Sequence, residues 1–474
     1  MAKTLFRNIT AIVGGADGGA SGGPGAGPGD AASGASGVAA EVLEHADILV
    51  SEGRFAWIGA TGSLDPQRPG DISFGAELYD GRSKVAAPGF FNIHTHIPMT
   101  LLRGYGEGLP LDEWLRTKMF PFEALLTDED CYWGSLLGIA EMLAGGTVSF
   151  TDMYMHTPGI ARAVQESGIR ANLAHAYAGT AIPAGAPMAR FEGSRSWNGT
   201  RFLMDAARAD GSGRLKADAS IHAEYTFGEP RVAAEIAEFC AREGMRMHIH
   251  LSETKREHEA CKAARGQTPV EFFDSYGIFA APTTAAHCVW IEESDMDILA
   301  ANKVTVGHCP SSNLKLGSGI APVLRLRERG IAVGLGTDGA ASNNNLDALE
   351  EAALAALVQK GVSGDPLALP PRELLMMASR TGALAQGRPD CGAIAVGMKA
   401  DLAVYDFDRP HLQPVYDILA NLFHAARSSD VALTMVDGRI LYKNGEFTTM
   451  DISRVLAEAS RIRTEKLERL GSGR

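Results

Sequence analysis

The chain has 474 residues, 45% of them hydrophobic and 21% charged, the balance of a globular protein with a large buried core. At about 150 residues per domain this length predicts roughly three domains, or fewer if one is an α/β barrel of about 200–250 residues. Acidic residues outnumber lysine plus arginine by 57 to 44, for a net charge of -13. That balance argues against a nucleic-acid partner, whose backbone is held by clustered cations, but leaves a nucleoside open. The six cysteines are scattered without a CxxC pair, so no disulfide framework or cysteine-only zinc site is expected, and a reducing compartment is. The N-terminal MAKTLFRNITAIVGG has no apolar run of signal-peptide length and no later stretch is long enough to span a bilayer. The expectation is a soluble, cytoplasmic protein without a membrane partner.

Residues 1–87 read as short β segments, Leu5–Val13, Asp47–Val50 and Phe55–Ile58, separated or followed by the turn signals SEGR and GATGS. Between the first two lies a run from Gly14 to Ala40 made almost wholly of Gly, Ala, Ser, Pro and Asp. It lacks the Lys-Ser/Thr ending of a phosphate loop and offers little apolar surface against ordering entropy, so a mobile surface insertion is expected.

From about residue 88 short apolar runs alternate with helix-length segments. Strands are predicted at Phe90–His94, Val148–Asp152, Arg170–His175, Leu215–His222, Arg246–His250, Thr283–His287, Thr305–His308 and Ile331–Asp338. Helices are predicted at Asp128–Ala144, Pro158–Ser167, Pro230–Glu243 and Ser294–Asn302, the second and third stopped by Gly168 and Gly244. Eight strands alternating with helices imply a (β/α)8 barrel over 88–389. Short β segments return at Asp401–Tyr405, Val431–Val436 and Ile440–Lys443. Residues 390–450 are therefore expected to join 1–87 in one β-sandwich, and 451–474 to form a final amphipathic helix, Ile452–Leu470.

The polar residues fall at the C-terminal ends of the predicted strands, where a barrel enzyme carries its chemistry. His94 and His96 are two apart and share a face of an extended strand. His250 ends the fifth strand, His287 the sixth and Asp338 the eighth. One histidine in an apolar strand is ordinarily a satisfied core residue. Imidazoles and a carboxylate gathered at one barrel end are instead the ligands of a zinc- or iron-type ion. Glu253, three residues past His250 in HIHLSET, is placed to carry protons between a water and a substrate nitrogen, or to open the next helix. No lysine occurs between Lys118 and Lys216, so the carbamylated lysine that bridges two ions has no candidate, and one metal is inferred.

PGFFNIHTH, HIHLSETK, AAHCVW, HCPSSNLKLGSGIAP and GLGTDGAASNNNLD, in this order, resemble the amidohydrolase superfamily, and more narrowly its 5'-methylthioadenosine/S-adenosylhomocysteine deaminases. The resemblance runs from the early β segments to GMKADLAVYD. It implies a TIM-type barrel with a flanking β-sandwich, holding one divalent ion, zinc by preference and Fe2+ as the alternative. It implies His94, His96, His250 and Asp338 as metal ligands, and Glu253 and His287, with Asp338, as the proton-handling catalytic groups. Trp114 matches the aromatic stacked on the purine, Glu123 the carboxylate bonding the ribose hydroxyls, and His222 a substrate-contacting histidine. Ser342 is placed to line the pocket, and Arg201 is a candidate for a substrate carboxylate. Two departures stand out: Glu224 replaces a proline of the family pattern, and His175 stands where some relatives present an arginine. The implied reaction is hydrolytic deamination of the adenine of a 5'-substituted adenosine by a homo-oligomer. Guanine or oxidised-purine deamination, triazine dechlorination and a non-catalytic scaffold are the alternatives.

Overall fold

The chain builds two sheets, one closed into a barrel by the middle of the sequence and one assembled from both ends. The structure is a computed structural model that describes residues 3–14, 40–178, 190–226 and 230–472. The insertion read at 14–40 falls, but for its two end residues, outside the described residues. Strands β1 (Thr4–Val13), β2 (Glu41–Ser51), β3 (Arg54–Ala60), β4 (Glu77–Asp80) and β5 (Lys84–Pro88) precede the barrel. The barrel strands are β6 (Phe90–Thr95), β7 (Thr147–Tyr154), β8 (Arg170–Tyr177), β9 (Leu215–Ile221), β10 (Met247–Leu251), β11 (Thr283–His287), β12 (Thr305–His308) and β13 (Val333–Leu335). After them come β14 (Leu402–Asp406), β15 (Val431–Val436), β16 (Arg439–Lys443) and β17 (Glu446–Phe447).

Strands β6 to β13 pair in parallel and in sequence order. Beyond β13 the chain crosses back: the Asp338 N–H donates to the His94 carbonyl at 3.0 Å, which closes the ring. Helices cover the outside, so these strands are buried on both faces and read as near-continuous apolar runs. Helix Thr157–Ser167 and helix Arg231–Glu243 end where Gly168 and Gly244 turn left-handed, with φ of 83° and 65°. The eighth strand is shorter than Ile331–Asp338. The Gly336 N–H still bonds to the His308 carbonyl as the last rung toward β12, and the Thr337 N–H then turns to the Asn92 side chain.

The terminal segments join as expected, but as one mixed nine-stranded sheet, in which β1 pairs antiparallel with β2 and parallel with β4 and β5. The junction is β5 against β14, antiparallel with Leu402 opposite Pro88. Phe6, Ile48, Phe55, Leu402 and Leu433 fill a separate core within this sheet. Among the described residues no helix is long and apolar enough to cross a membrane.

The final helix, Ile452–Ser472, packs on helix Asp128–Ala144, burying Val455 and Ile462. It is pinned by Lys466, whose buried ammonium lies 2.8 Å from Asp130 Oδ2. That same oxygen accepts from the Thr127 N–H and hydroxyl and so completes the cap of helix Asp128–Ala144. Lys466→Ala strips a buried carboxylate of its cation and is expected to cost about 3 kcal/mol. Amide exchange should then rise across 452–472 while the barrel strands stay protected.

Candidate active site

At the C-terminal mouth of the barrel four donor atoms converge. His94 lies within β6, His96 one residue beyond it, His250 within β10, and Asp338 three residues past β13. The Nε2 atoms of His96 and His250 are 3.1 Å apart, and Asp338 Oδ1 is 3.3 Å from Nε2 of both His94 and His96. The other ring nitrogens are committed outward. His96 Nδ1–H donates to the Met153 carbonyl at 2.6 Å and His250 Nδ1–H to the His222 carbonyl at 2.7 Å, which turns both Nε2 atoms toward the cluster. His94 Nδ1 sits 2.7 Å from His248 Nε2, and its own Nε2 is buried and faces Asp338 without forming a regular hydrogen bond. Burial pushes the His94 pKa down to about 3 and that of His250 well below its usual value, so both rings are neutral. Burial alone would raise Asp338, but His94, His96 and His287 hold it well below the ordinary carboxylate range. Its second oxygen accepts from the Ser312 and Ser342 hydroxyls at 2.6 and 2.7 Å. Two triples with ligand atoms within 4.8 Å of one another, His94–His96–Asp338 and His94–His250–His287, share His94, and imidazoles gathered with a carboxylate and fixed from behind fit a divalent cation of the zinc type.

Beside this cluster stand Glu253 and His287, with His287 Nε2 3.9 Å from Glu253 Oε2. Glu253 does not open the following helix. Thr254 caps it, and Glu257 Oε2 accepts the N–H groups of Thr254 and of Glu253 itself, the latter at 2.8 Å. The Glu253 side chain is thus free to face the cavity, where Ser318 Oγ donates to Oε1 at 3.2 Å. His287 Nδ1–H donates to Asn313 Oδ1 at 2.9 Å, leaving Nε2 toward the cluster. One short stretch therefore steadies both groups, and the Ser318 N–H bonds back to the Asn313 carbonyl at 2.8 Å. His287 and Asp338 adopt left-handed backbone, with φ of 72° and 59°, a conformation uncommon for non-glycine residues that this chain also uses at several turns away from the site.

Both groups open onto a cavity of about 1000 Å³ including its mouth. His96, His250, Glu253, His287 and Asp338 form one end, and His222 and Ser342 also line it. Trp114 and Glu123 line it from the segment after His96, which runs helically from Leu111 to Glu123 with a π-turn at Leu115–Met119. The buried Glu123 carboxyl is raised in pKa by burial, and the Tyr154 hydroxyl, donating at 2.6 Å, partly offsets this. Arg201 is not among the lining residues; its guanidinium lies 5.8 Å from the Trp197 ring. His175 is also away from the lining, packed against Gly199.

Sequence reasoning assigned no role to His248, Tyr154, Ser312, Asn313, Ser318 or Glu257, although Ser312, Asn313 and Ser318 stand within HCPSSNLKLGSGIAP and His248 within HIHLSETK. His248 stands two residues before His250, the same alternation that joined His94 to His96.

The amidohydrolase family model matches residues 85–441. The 5-methylthioadenosine/S-adenosylhomocysteine deaminase of Pelotomaculum thermopropionicum is 44% identical over 424 residues, covering 89% of this chain and 94% of that protein. A solved adenosine deaminase from Xanthomonas campestris with bound zinc superposes with a TM-score of 0.85 at 27% identity, covering 98% of this chain and 99% of that one. The atrazine chlorohydrolase of Arthrobacter aurescens, at 22% identity and a TM-score of 0.82 over 97% of this chain and 100% of its own, shares the fold. With the barrel, the histidine–aspartate cluster and this similarity together, the chain belongs to the amidohydrolase family and, within it, to the 5-methylthioadenosine/S-adenosylhomocysteine deaminases.

Proposed function

We propose that this hydrolase removes the 6-amino group of 5'-substituted adenosines, giving the hypoxanthine nucleoside and ammonia. The observation that carries the reading is one cavity with Glu253 and His287 beside the histidine–aspartate cluster and Trp114 and the buried Glu123 on its wall. His94, His96, His250 and Asp338 would hold a single divalent ion, zinc by preference. When bound, such an ion lowers the pKa of water from 15.7 to about 7 and so supplies the nucleophile at neutral pH.

The side chains divide the remaining work. Trp114 stacks on the purine and Glu123 bonds the ribose hydroxyls, which fixes C6 at the Glu253 end. Glu253 gives its proton to N1, drawing electron density from C6 as the water oxygen adds there. Asp338 and His287 take the proton that the water releases, and His287 faces the charge that develops on the oxygen. A proton then passes through Glu253 to the amino nitrogen, the C6–N bond breaks, and ammonia leaves as the C6 carbonyl forms. A free base would leave Glu123 without the hydroxyls it is placed to meet, which favours a nucleoside over a guanine- or triazine-like substrate.

The test is loss of adenine ultraviolet absorbance on metal-loaded protein, with 5'-methylthioadenosine, 5'-deoxyadenosine and adenosine beside free adenine and guanine. Nucleoside turnover is expected, abolished by chelation and restored by zinc. Glu123→Ala should lower kcat/KM on nucleosides by about tenfold to a hundredfold, chiefly through KM. Turnover of free bases alone would refute the nucleoside assignment.

A further inference from the structure

Behind Glu253 lies a pair of carboxyl groups that the reaction above does not use. Glu224 opens the short turn Glu224–Thr226 after β9, and His222, Tyr225 and Thr226 around it line the cavity. Glu224 and Glu257 are 2% and 6% exposed, and their side chains hydrogen-bond to each other. Two carboxylates cannot do this, so one of them carries a proton. Their other partners say which. Glu257 Oε2 accepts the N–H groups of Glu253 and Thr254, which favours its ionised form. Among the described residues no other donor reaches the buried Glu224 Oε2 or Glu257 Oε1. Burial, and after it the neighbouring Glu257, hold the Glu224 carboxyl well above the ordinary carboxylate range. Arg265, which donates to the Glu224 backbone carbonyl at 3.4 Å, opposes this without reversing it.

Resting on the deaminase reading above, we propose that Glu224 is a positioning residue, whose proton, shared with Glu257, ties the cavity wall at 222–226 to the turn that carries Glu253. Glu257 is the middle of the relay: one oxygen faces the Glu224 proton and the other holds the Glu253 N–H at 2.8 Å. Without that proton the buried Glu257 oxygen has no donor, and Glu257 must turn away or take up a proton of its own. Either change weakens its hold on the Glu253 N–H and lets the catalytic carboxyl move off line with N1. The loss then falls on the chemical step, because Trp114 and Glu123 bind the nucleoside elsewhere on the wall. The proline of the family pattern has no proton to give, so the tie belongs to this chain.

Two variants separate the proton from the bulk of the side chain. Glu224→Gln puts an amide N–H where the proton was, and Glu224→Leu keeps much of the volume but offers no donor. The first readout needs no substrate. At about pH 8 ordinary carboxyls are ionised, so the infrared difference spectrum between wild type and Glu224→Gln should show the carbonyl stretch of one protonated carboxyl. Absence of that band would overturn the proposal, because the pair would hold no proton. The second readout is turnover of 5'-methylthioadenosine by metal-loaded protein. Glu224→Leu is expected to lower kcat by about tenfold or more with KM within about twofold, and Glu224→Gln to keep kcat within about threefold of wild type. Equal kcat for Glu224→Leu and wild type would overturn the proposal. So would an equal loss in both variants, or a loss confined to KM. If wild type turns over no nucleoside, the deaminase reading falls and the positioning role with it, and the infrared band tells that failure from a failure of the pair.

Discussion

Replacing Glu253 by glutamine is expected to lower kcat on every nucleoside substrate by about a thousandfold, with KM, metal content and thermal midpoint little changed. Glutamine keeps the size of the side chain and an oxygen for the Ser318 hydroxyl, but it cannot pass a proton to N1 or on to the leaving nitrogen. Burial is what suits the native side chain to this task. It pushes the Glu253 pKa up to about 7, with Asp338 and Glu257 adding to the rise and His287 and Ser318 opposing it. The protonated carboxyl is the form that donates to N1, and its fraction falls as pH rises through that value. Wild-type kcat/KM is therefore expected to decline above about pH 7, while the residual activity of Glu253→Gln stays flat there. A variant that retains the same alkaline decline would show that another group titrates.

Which residues meet at the barrel mouth was legible because strand alternation and strand-end placement are written in the chain. Two histidines two apart must share a face, and a polar residue ending each of several buried strands has one place to go. What holds them was not. Ser312 reaches Asp338 and Asn313 reaches His287 from the short helix Pro310–Lys315, while Ser342 reaches Asp338 and Ser318 reaches Glu253 from connecting segments, and no periodicity encodes the course of any of them. The left-handed backbone of His287 and Asp338 is likewise invisible, since the residues most tolerant of positive φ are glycine and asparagine. Arg201 illustrates the opposite failure: its alignment crosses a length difference, and the helix that carries it turns the guanidinium onto Trp197.

The fold divides in the same way. Barrel strands buried on both faces announce themselves as apolar runs, and Gly168 and Gly244 mark where their helices stop. The eighth strand is shorter than its apolar run suggests because GLGTDG is apolar at its start, whereas the backbone N–H groups of Thr337 and Asp338 bond across the closing seam to Asn92 and His94. In the second sheet the pairing of β5 with β14 joins residues more than 300 positions apart. Neither strand carries a signal for its partner. A parallel β1–β4 pair inside an otherwise hairpin-like segment is equally silent.

That long-range seam is where the largest loss of stability is expected. Arg170, at the start of β8, is buried on the side of the barrel away from the cavity and donates to both oxygens of the fully buried Asp401, at 2.9 and 3.0 Å. It also lies 3.1 Å from Asp437, which Lys399 approaches to 2.8 Å and whose N–H donates to Asp401. The pair thereby ties the barrel to β14 and β15. Arg170→Met leaves Asp401 as a buried carboxylate without its cation and is expected to cost about 3–5 kcal/mol, read as a lower urea midpoint with kcat unchanged under native conditions. Arg170→Met combined with Asp401→Leu should recover most of that loss, because an apolar pair pays no desolvation of charge. If the double variant is as unstable as the single one, packing and not an uncompensated charge is the cause. The same cluster sets a pH dependence. Burial opposes ionisation of Asp437, yet Lys399 and Arg170 hold its folded-state pKa below the ordinary value. Its stabilisation is complete above the unfolded-state pKa and is lost as pH falls through the folded one. Asp437→Asn should therefore flatten part of the acid decline in stability, and it should do so without moving the alkaline decline in activity assigned to Glu253.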